Sequence, residues 1–364
     1  MVISMNKHIG RIGFALECDP PSHQEIIDFI QGLPALGNVR QMCKKGSEFL
    51  ARLPSNMVLE VTSEMSHAHP FFLPRVDEAT AASLKIGMRQ FVELVMRCRL
   101  TANHAKKTNI LVACAPKSAS TFIAAALGRA LDLHNACLTC PTVDGQLSSL
   151  LGANLRSQEL DELALLRNGL DPRSYVAQHH VRCTPYLANQ LALYQIKPIV
   201  TIRNFFDSLV SLDDMFVADR RTYEHAQIRF FNDGLPAHYS DMALDDRLEL
   251  LVDVHAVWYV QFLMSWQKCE TFGAVKPLWV SYEHDFLGNK QLLAEKIADF
   301  IGFDGVSLER LADALDDKRD GAKYRLNKGV AGRGENVPEG IRRRALAIFK
   351  RYDQDGDLSP LIGI

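Results

Sequence analysis

Short apolar runs alternate with amphipathic stretches from about residue 108 onward. Three runs are nearly continuous in apolar residues, as in strands that are buried on both faces: Asn109–Ala113, Lys197–Ile202 and Pro277–Ser281. Each is followed by a stretch with apolar residues at helical spacing: Ser120–Leu131, Asn204–Phe216 and Asn289–Phe300. Strands that alternate with helices predict an α/β fold with a central parallel sheet flanked by helices.

Residues 1–107 have a different, helical pattern. Ser22 and Glu25 fit a capping box ahead of the apolar stretch that starts at Ile26. The stretch Asp77–Arg99 carries apolar residues at helical spacing and predicts one long amphipathic helix. We therefore expect a helical N-terminal extension over residues 1–107 and a sheet domain over residues 108–364.

The composition is typical of a globular protein, with 47% hydrophobic and 23% charged residues. A net charge of −2 gives no global basic field for nucleic acid. No run of about 18 apolar residues predicts a membrane span, and residues 1–13 lack the pattern of a signal peptide. The eight cysteines are scattered through apolar stretches, which indicates reduced thiols in a cytoplasmic protein.

A loop with anion-binding chemistry follows the first predicted strand. Residues Cys114–Phe122 read Cys-Ala-Pro-Lys-Ser-Ala-Ser-Thr-Phe. Backbone N–H groups at a helix start, three hydroxyls and the amine of Lys117 converge there, as in sites for phosphate or sulfate. The Walker pattern of nucleoside triphosphatases is absent from the chain. By itself, the loop fits an ordinary capped turn equally well.

Two further segments have the same chemistry. Arg203 follows the second strand, and Ser211 lies eight residues later, about two helical turns along. A guanidinium at a strand end can clamp a phosphate through its planar fork. Near the end of the chain, Tyr324–Gly334 is basic and rich in glycine, which lets backbone amides approach an anion. Each segment alone is also typical of an ordinary protein surface.

Together these segments resemble the family of sulfotransferases that use 3′-phosphoadenosine 5′-phosphosulfate (PAPS), in particular its cytosolic branch that acts on small molecules. The resemblance covers about residues 108–350 and implies a P-loop-like sulfotransferase fold. The matches are the 5′-phosphosulfate loop at Pro116–Thr121, the 3′-phosphate motif at Arg203, Asp207 and Ser211, a Tyr-Glu segment at Tyr282–Asp285 and the terminal RKGxxG loop at Asn327–Gly332.

The resemblance also implies roles for individual residues. Lys117 would be catalytic, as the stabiliser of the transferring sulfuryl group, and would bind the cofactor as well. Phe122 and Tyr282 would contact the adenine of PAPS, and the remaining residues would hold the phosphate groups of PAPS. The cofactor-binding residues implied are Lys117, Ser118, Ala119, Ser120, Thr121, Phe122, Arg203, Ser211, Tyr282, Asn327, Lys328 and Gly329.

Three of these positions depart from the family pattern. Ala119 stands where the family usually has glycine, and Phe122 stands where it often has tryptophan. Asn327 stands where an arginine usually contacts the 3′-phosphate, and Arg325 or Arg333 would then substitute for it. The lysine, arginine and serine of the phosphate motifs are all present.

The family's catalytic base is a histidine ahead of the strand that leads to the arginine. Here Gln178 is followed by His179 and His180, and His180 precedes Arg203 by 23 residues. A histidine titrates near neutral pH and can take a proton from a hydroxyl. Because neighbouring side chains on an extended segment point to opposite faces, only one of the pair can face the site. The register favours His180, and a slip by one residue would exchange the two.

The sequence therefore predicts an enzyme that moves a sulfuryl group from PAPS to a hydroxyl or amine of a small-molecule acceptor, releasing PAP. We expect no metal, no nucleic acid and no membrane partner, and a homodimer is left open. The acceptor pocket is expected around residues 142–170 and 218–242. Two alternatives are a non-catalytic relative that binds PAPS or PAP, and a nucleotide kinase on a related fold.

Overall fold

The computed structural model describes residues 21–36, 38–68, 78, 82, 87–141, 158–222, 235–302, 305–317 and 330–363. The chain divides into two compact units, Met1–Phe91 and Val92–Ile364. The division falls in the first turn of a helix, Met88–His104, and so lies earlier than the boundary expected after residue 107. The end of this helix packs within the second unit, where Cys98 Sγ donates to the Leu166 carbonyl at 3.6 Å.

The described part of the first unit is helical. The predicted capping box is confirmed, because Ser22 N donates to Glu25 Oε2 at 2.8 Å and Glu25 N donates to Ser22 Oγ at 3.3 Å. The helices are α1 (His23–Gly32), α2 (Val39–Leu50) and α3 (Ser55–Ala68). They bury a small apolar core of Ile26, Leu33, Met42, Phe49, Leu53, Val61 and Met65.

The long helix predicted from Asp77 is interrupted: Glu78 and Ala82 are helical, Gly87 is not, and helix α4 (Met88–His104) begins after it. Gly87 lies outside α4, and its N–H donates to Gln90 Oε1 at 2.8 Å. This side chain satisfies a donor that the helix start would otherwise leave without a partner. Residues 79–81 and 83–86 of the predicted helix lie outside the described residues.

A parallel sheet forms the centre of the second unit. Within the described residues it has five strands in the order β2-β3-β1-β4-β5, and every neighbouring pair is parallel. The predicted strands are confirmed, and the very short β2 was not predicted. The strands are β1 (Asn109–Cys114), β2 (His134–Asn135), β3 (Tyr175–His179), β4 (Ile196–Ile202) and β5 (Leu278–Ser281).

Helices flank this sheet, so the predicted fold class is confirmed. All six residues of β1 are buried, as its continuous apolar run predicted. The helices are α5 (Ser120–Leu131), α6 (Glu162–Leu170), α7 (Pro185–Leu193), α8 (Phe205–Thr222), α9 (Leu244–Thr271), α10 (Lys290–Ile301), α11 (Gly305–Asp316), α12 (Glu339–Phe349) and α13 (Ser359–Ile362).

Helix α9 is the longest described helix, with 28 residues, and by length and composition it could cross a membrane. It instead packs against the strand ends as a core helix. Tyr259 Oη donates to the Pro116 carbonyl at 2.8 Å, and Trp266 Nε1 donates to the Val181 carbonyl at 3.0 Å. Trp258 of the same helix is also buried.

A buried lysine closes the C-terminal end of α6. Lys107 Nζ donates to the carbonyl oxygens of Asn168 at 3.1 Å, Gly169 at 3.4 Å and Asp171 at 2.5 Å. Carbonyls at a helix end lack partners within the helix, and a cation there is favourable. Lys107 therefore fastens the start of the sheet domain to α6.

We expect Lys107→Met to lower the free energy of unfolding by about 1–3 kcal/mol, because buried carbonyls lose a charged donor. Urea unfolding followed by circular dichroism measures this change. Lys268→Met is the matched control, since Lys268 forms a half-exposed ion pair with Asp355 at 2.9 Å and should cost at most about 1 kcal/mol. Equal losses in the two variants would contradict the role given to Lys107.

Candidate active site

The candidate residues lie where four neighbouring strands end. Strands β3, β1, β4 and β5 end at His179, Cys114, Ile202 and Ser281. The register pairs Ala113 with His179, Cys114 with Thr201, and Ile202 with Ser281. Because the strands are parallel, the loops that follow them emerge at one edge of the sheet, where α/β folds bind ligands.

The loop after β1 has the backbone conformation of an anion-binding nest. Lys117 and Ala119 have φ angles of 66° and 63°, in the left-handed region, and Ser118 between them does not. Ala119 is also the N-terminal cap of α5. Alternation of this kind turns successive backbone N–H groups toward a common concavity, and the start of α5 adds the positive end of a helix dipole.

The Ser118 hydroxyl fixes this loop to the sheet. Its Oγ donates to the Ala115 carbonyl at 2.6 Å and lies 2.6 Å from Thr201 Oγ1, at the end of β4. The residue is 1% exposed. The backbone amide of Ser118, rather than its hydroxyl, is therefore the group that would serve an anion.

Gln178 connects the end of β3 to the first turn of α5. Its Nε2 donates to Ser120 Oγ at 3.2 Å and to Cys114 Sγ at 3.3 Å, while Thr121 Oγ1 donates to Gln178 Oε1 at 3.2 Å. Burial raises the pKa of the Cys114 thiol to about 11, so it remains a neutral partner. Sequence reasoning missed this residue, although a glutamine in an otherwise buried strand is a signal that it has polar partners.

Arg203 is buried and joins three loops of the site. Its Nη1 donates to the Lys117 carbonyl and its Nη2 to the Val330 carbonyl, each at 3.0 Å. The guanidinium carbon lies 3.9 Å from the ring centre of Tyr282. Arg203 Nε is buried and has no hydrogen-bond partner among the described residues. A buried N–H without a partner is costly, and an anionic ligand would remove that cost.

Asp207 anchors the terminal glycine-rich loop. Its Oδ2 accepts from Gly332 N at 2.9 Å and its Oδ1 from Gly334 N at 2.6 Å. A Cβ on Gly334 would lie 2.6 Å from Phe206 Cβ, so the loop approaches α8 more closely than a side chain permits. The sequence motif included Asp207, and the structure shows that its carboxylate holds the backbone of the terminal loop.

Part of the terminal loop is described and part is not. Asn327, Lys328 and Gly329, which were predicted to bind the cofactor, lie outside the described residues, as does Arg325. Arg333 is described, and its Nη2 lies 2.6 Å from Asp214 Oδ2.

The two aromatic residues predicted to contact adenine are both buried. Phe122 is 2% exposed in the apolar core, and its ring meets Phe286 edge-on with centroids 5.5 Å apart. Tyr282 is 3% exposed and stacks on Phe286 at 5.4 Å, and burial raises the pKa of its phenol. Both rings therefore pack against Phe286 inside the protein.

Lys117 contacts α8, the helix that also carries Ser211. Lys117 Nζ is 3.7 Å from Met215 Sδ on α8. Ser211 is on the same helix, one turn earlier, and is 1% exposed. The structure thus brings the predicted lysine and serine to the helix that follows Arg203.

The two adjacent histidines have opposite environments, and His179 is the buried one. Leu138 N donates to His179 Nε2 at 2.9 Å, so this nitrogen carries no proton. Burial, with the nearby His180 as a smaller cause, lowers the pKa of His179 to about 3. His179 is therefore neutral at physiological pH, and its basic nitrogen is already used by a backbone donor.

His180 is half-buried, and its tautomer suits a base. Its Nδ1 lies 2.9 Å from the Cys114 carbonyl oxygen. Nδ1 also lies 3.2 Å from Cys114 Sγ. A carbonyl only accepts, so its contact favours the tautomer with the proton on Nδ1 and leaves Nε2 as the basic nitrogen, whereas a proton donated by the thiol would favour the opposite tautomer. The ring meets Trp258 of α9 edge-on, with centroids 6.3 Å apart. The geometry thus favours His180 over His179, as the register predicted.

The predicted acceptor segments are only partly described. Residues 142–157 and 223–234 lie outside the described ranges. Tyr239, which was predicted near the acceptor, is fully buried and donates from Oη to Asp213 Oδ1 at 2.7 Å. Arg247 Nε donates to the same carboxylate oxygen at 2.7 Å. These contacts fasten the chain just after residue 234 to α8.

A search for metal-binding clusters covers the described residues alone. Within them, no group of three or more His, Cys, Asp or Glu side chains could hold a metal ion. The described cysteines are all free thiols, including Cys137 and Cys140.

Comparison with known proteins finds similarity to solved structures. No protein-family model matches the chain, and no curated protein matches it. The chain is similar to the crystal structure of the mouse sulfotransferase SULT7A1 in complex with PAP, at 20% sequence identity. The similarity covers 71% of this chain and 91% of the mouse chain, with a TM-score of 0.43.

The left-handed conformation of Ala119 leads to a prediction about stability. A non-glycine residue in this region costs about 1–2 kcal/mol, so Ala119→Gly should raise the free energy of unfolding by about 1 kcal/mol. Asp132→Gly is the matched control, because Asp132 has a φ of 52° at the other end of α5. Urea unfolding measures both, and a loss of stability in Ala119→Gly alone would contradict strain at this position.

Proposed function

We propose that this protein is a sulfotransferase that moves a sulfuryl group from PAPS to a hydroxyl or amine of a small molecule. One observation carries the proposal. The ring of His180 lies against the end of β1, with its Nδ1 2.9 Å from the Cys114 carbonyl, and the loop that starts at the next residue has two left-handed residues, Lys117 and Ala119, ahead of α5. A base and an anion cradle therefore share one strand end.

The residues present fit the anionic groups of PAPS. The amides of residues 118–121 would hold the 5′-phosphosulfate, at the nest and the start of α5. Arg203 and Ser211 would hold the 3′-phosphate, and Arg203 Nε, buried without a described partner, supports an anion there. Lys328 of the terminal loop would join them, and Tyr282 would form a wall for the adenine.

The chain's own contribution to the chemistry is positioning and charge. When bound, PAPS supplies an activated sulfuryl group that can be transferred in line. His180 would take the acceptor's proton at Nε2, while the Cys114 carbonyl keeps Nδ1 protonated and the ring oriented. Lys117 would stabilise the negative charge that develops during transfer. His179 would take no part, because its Nε2 is used by Leu138 N.

The cofactor is tested by comparing two nucleotides. A ligand that binds only the folded state stabilises it by about 2.7 kcal/mol at 100 times its Kd, so PAP should raise the melting temperature by several degrees. ADP, which lacks the 3′-phosphate, should raise it much less. Thermal unfolding measures both shifts.

Ser211→Ala is the control for this comparison. It should reduce the shift caused by PAP and leave the shift caused by ADP unchanged. Equal shifts from PAP and ADP in the unaltered protein would contradict the assignment of a 3′-phosphate site. A larger shift from ATP with Mg²⁺ than from PAP would favour a nucleotide kinase.

The two histidines provide a matched pair for the mechanism. His180→Ala should lower turnover by about 10²- to 10⁴-fold, as loss of a general base does, and should leave PAP affinity nearly unchanged. His179→Ala should lose much less activity than His180→Ala, and its loss should come with lower stability, because Leu138 N is left without its acceptor. Turnover with labelled PAPS and a cell extract, together with calorimetric titration of PAP, measures both. Full activity in both variants would exclude a histidine base, and PAP binding with no transfer in the unaltered protein would favour a non-catalytic relative.

A further inference from the structure

The segment around Gln158 contacts the candidate base, His180. Gln158 precedes α6 and forms an isolated parallel bridge with Val181, just beyond β3. Its side chain is nearly buried, at 8% exposed. A polar side chain buried at this depth is normally hydrogen-bonded. The group to which Gln158 is bonded indicates what this side chain does.

One partner of Gln158 is the main chain of His180. His180 N donates to Gln158 Oε1 at 2.7 Å, at the short end of the range for N–H···O bonds. The imidazole Nδ1 of the same residue lies 2.9 Å from the Cys114 carbonyl. His180 is therefore held at its backbone from one segment and at its ring from another.

These two anchors restrict different motions. The bond to the Cys114 carbonyl sets the rotation of the imidazole, and the bond to Gln158 sets the position of the backbone that carries it. Proton transfer requires Nε2 to lie within hydrogen-bond distance of the acceptor's proton. A displacement of about 1 Å can cost about 10²-fold in rate, so the backbone anchor matters as much as the ring anchor.

The segment that carries Gln158 is also held without its side chain. Asp161 N donates to the Leu138 carbonyl at 2.8 Å, and Leu138 N donates to His179 Nε2 at 2.9 Å. Asp161 Oδ1 then caps α6 by accepting from Leu163 N and Ala164 N. A change confined to the Gln158 side chain should therefore leave this segment in place.

We propose that Gln158 is a positioning residue that holds the backbone of His180 so that Nε2 reaches the acceptor. The role of His180 as a base rests on the proposed function above. The position of the His180 ring does not depend on that function and can be measured without any substrate. A purely structural Gln158 would affect stability and leave the ring and the chemistry unaltered.

Three variants separate these roles. Gln158→Leu removes the acceptor oxygen, and Gln158→Glu keeps one at the same distance along the side chain. Gln190→Leu makes the same chemical change at a glutamine on α7 that is 4% exposed. All three are compared at a temperature where thermal unfolding shows them to be folded.

The first measurement is nuclear magnetic resonance of protein labelled with ¹⁵N in histidine, with His180 assigned from its absence in His180→Ala. In the unaltered protein and in Gln190→Leu, His180 should show the pattern of a single tautomer protonated at Nδ1. Gln158→Leu should average the two ring nitrogens, because the ring leaves the Cys114 carbonyl part of the time. An unaltered tautomer in Gln158→Leu would overturn the proposal.

The second measurement is the reverse transfer from 4-nitrophenyl sulfate to PAP, with PAP affinity measured by calorimetry. Gln158→Leu should lower kcat by about 10- to 100-fold and change the Kd of PAP little, and Gln158→Glu should recover most of the loss. An unchanged kcat in Gln158→Leu would overturn the proposal. Failure of the unaltered protein to bind PAP would refute the proposed function, and the resonance experiment would still decide whether Gln158 positions His180.

Discussion

The burial of the Arg203 guanidinium is the constraint on which the candidate site depends. Arg203 is only 5% exposed, and a buried charge is tolerated only when its environment compensates it. Carbonyls from the first and terminal loops and the ring of Tyr282 supply that compensation, with the Asp207 carboxylate 3.7 Å away. Loops that are far apart in the chain therefore form one structure around a single side chain.

Asp207 and Gln178 extend this arrangement to the two sides of the site. Asp207 accepts two backbone N–H groups of the terminal loop, and Gln178 joins β3 to the start of α5. The serines of the first loop are used in the same way, since the Ser118 hydroxyl is bonded to Ala115 and Thr201. Hydrogen bonds within the protein thus occupy these side chains. Backbone amides remain the main groups that can bind an anion.

The histidine pair shows how neighbouring residues of one type come to lie in two different environments. His179 turns into the protein, where burial lowers its pKa to about 3 and Leu138 N occupies its Nε2. His180 turns toward β1, where its Nδ1 lies 2.9 Å from the Cys114 carbonyl. The alternation of side chains along an extended segment causes this separation, and it makes a single substitution at each position an informative comparison.

The sequence by itself determined the strands, the helices that follow them and the edge of the sheet where polar residues collect, because these depend on local apolar patterns. Its motifs also selected Lys117, Arg203 and His180. The tertiary structure alone decided that Arg203 bonds to the carbonyls of Lys117 and Val330. It also decided that Phe122 lies in the core and that Gln158 holds His180. Such contacts join residues distant in the chain, and no local pattern encodes which distant groups meet.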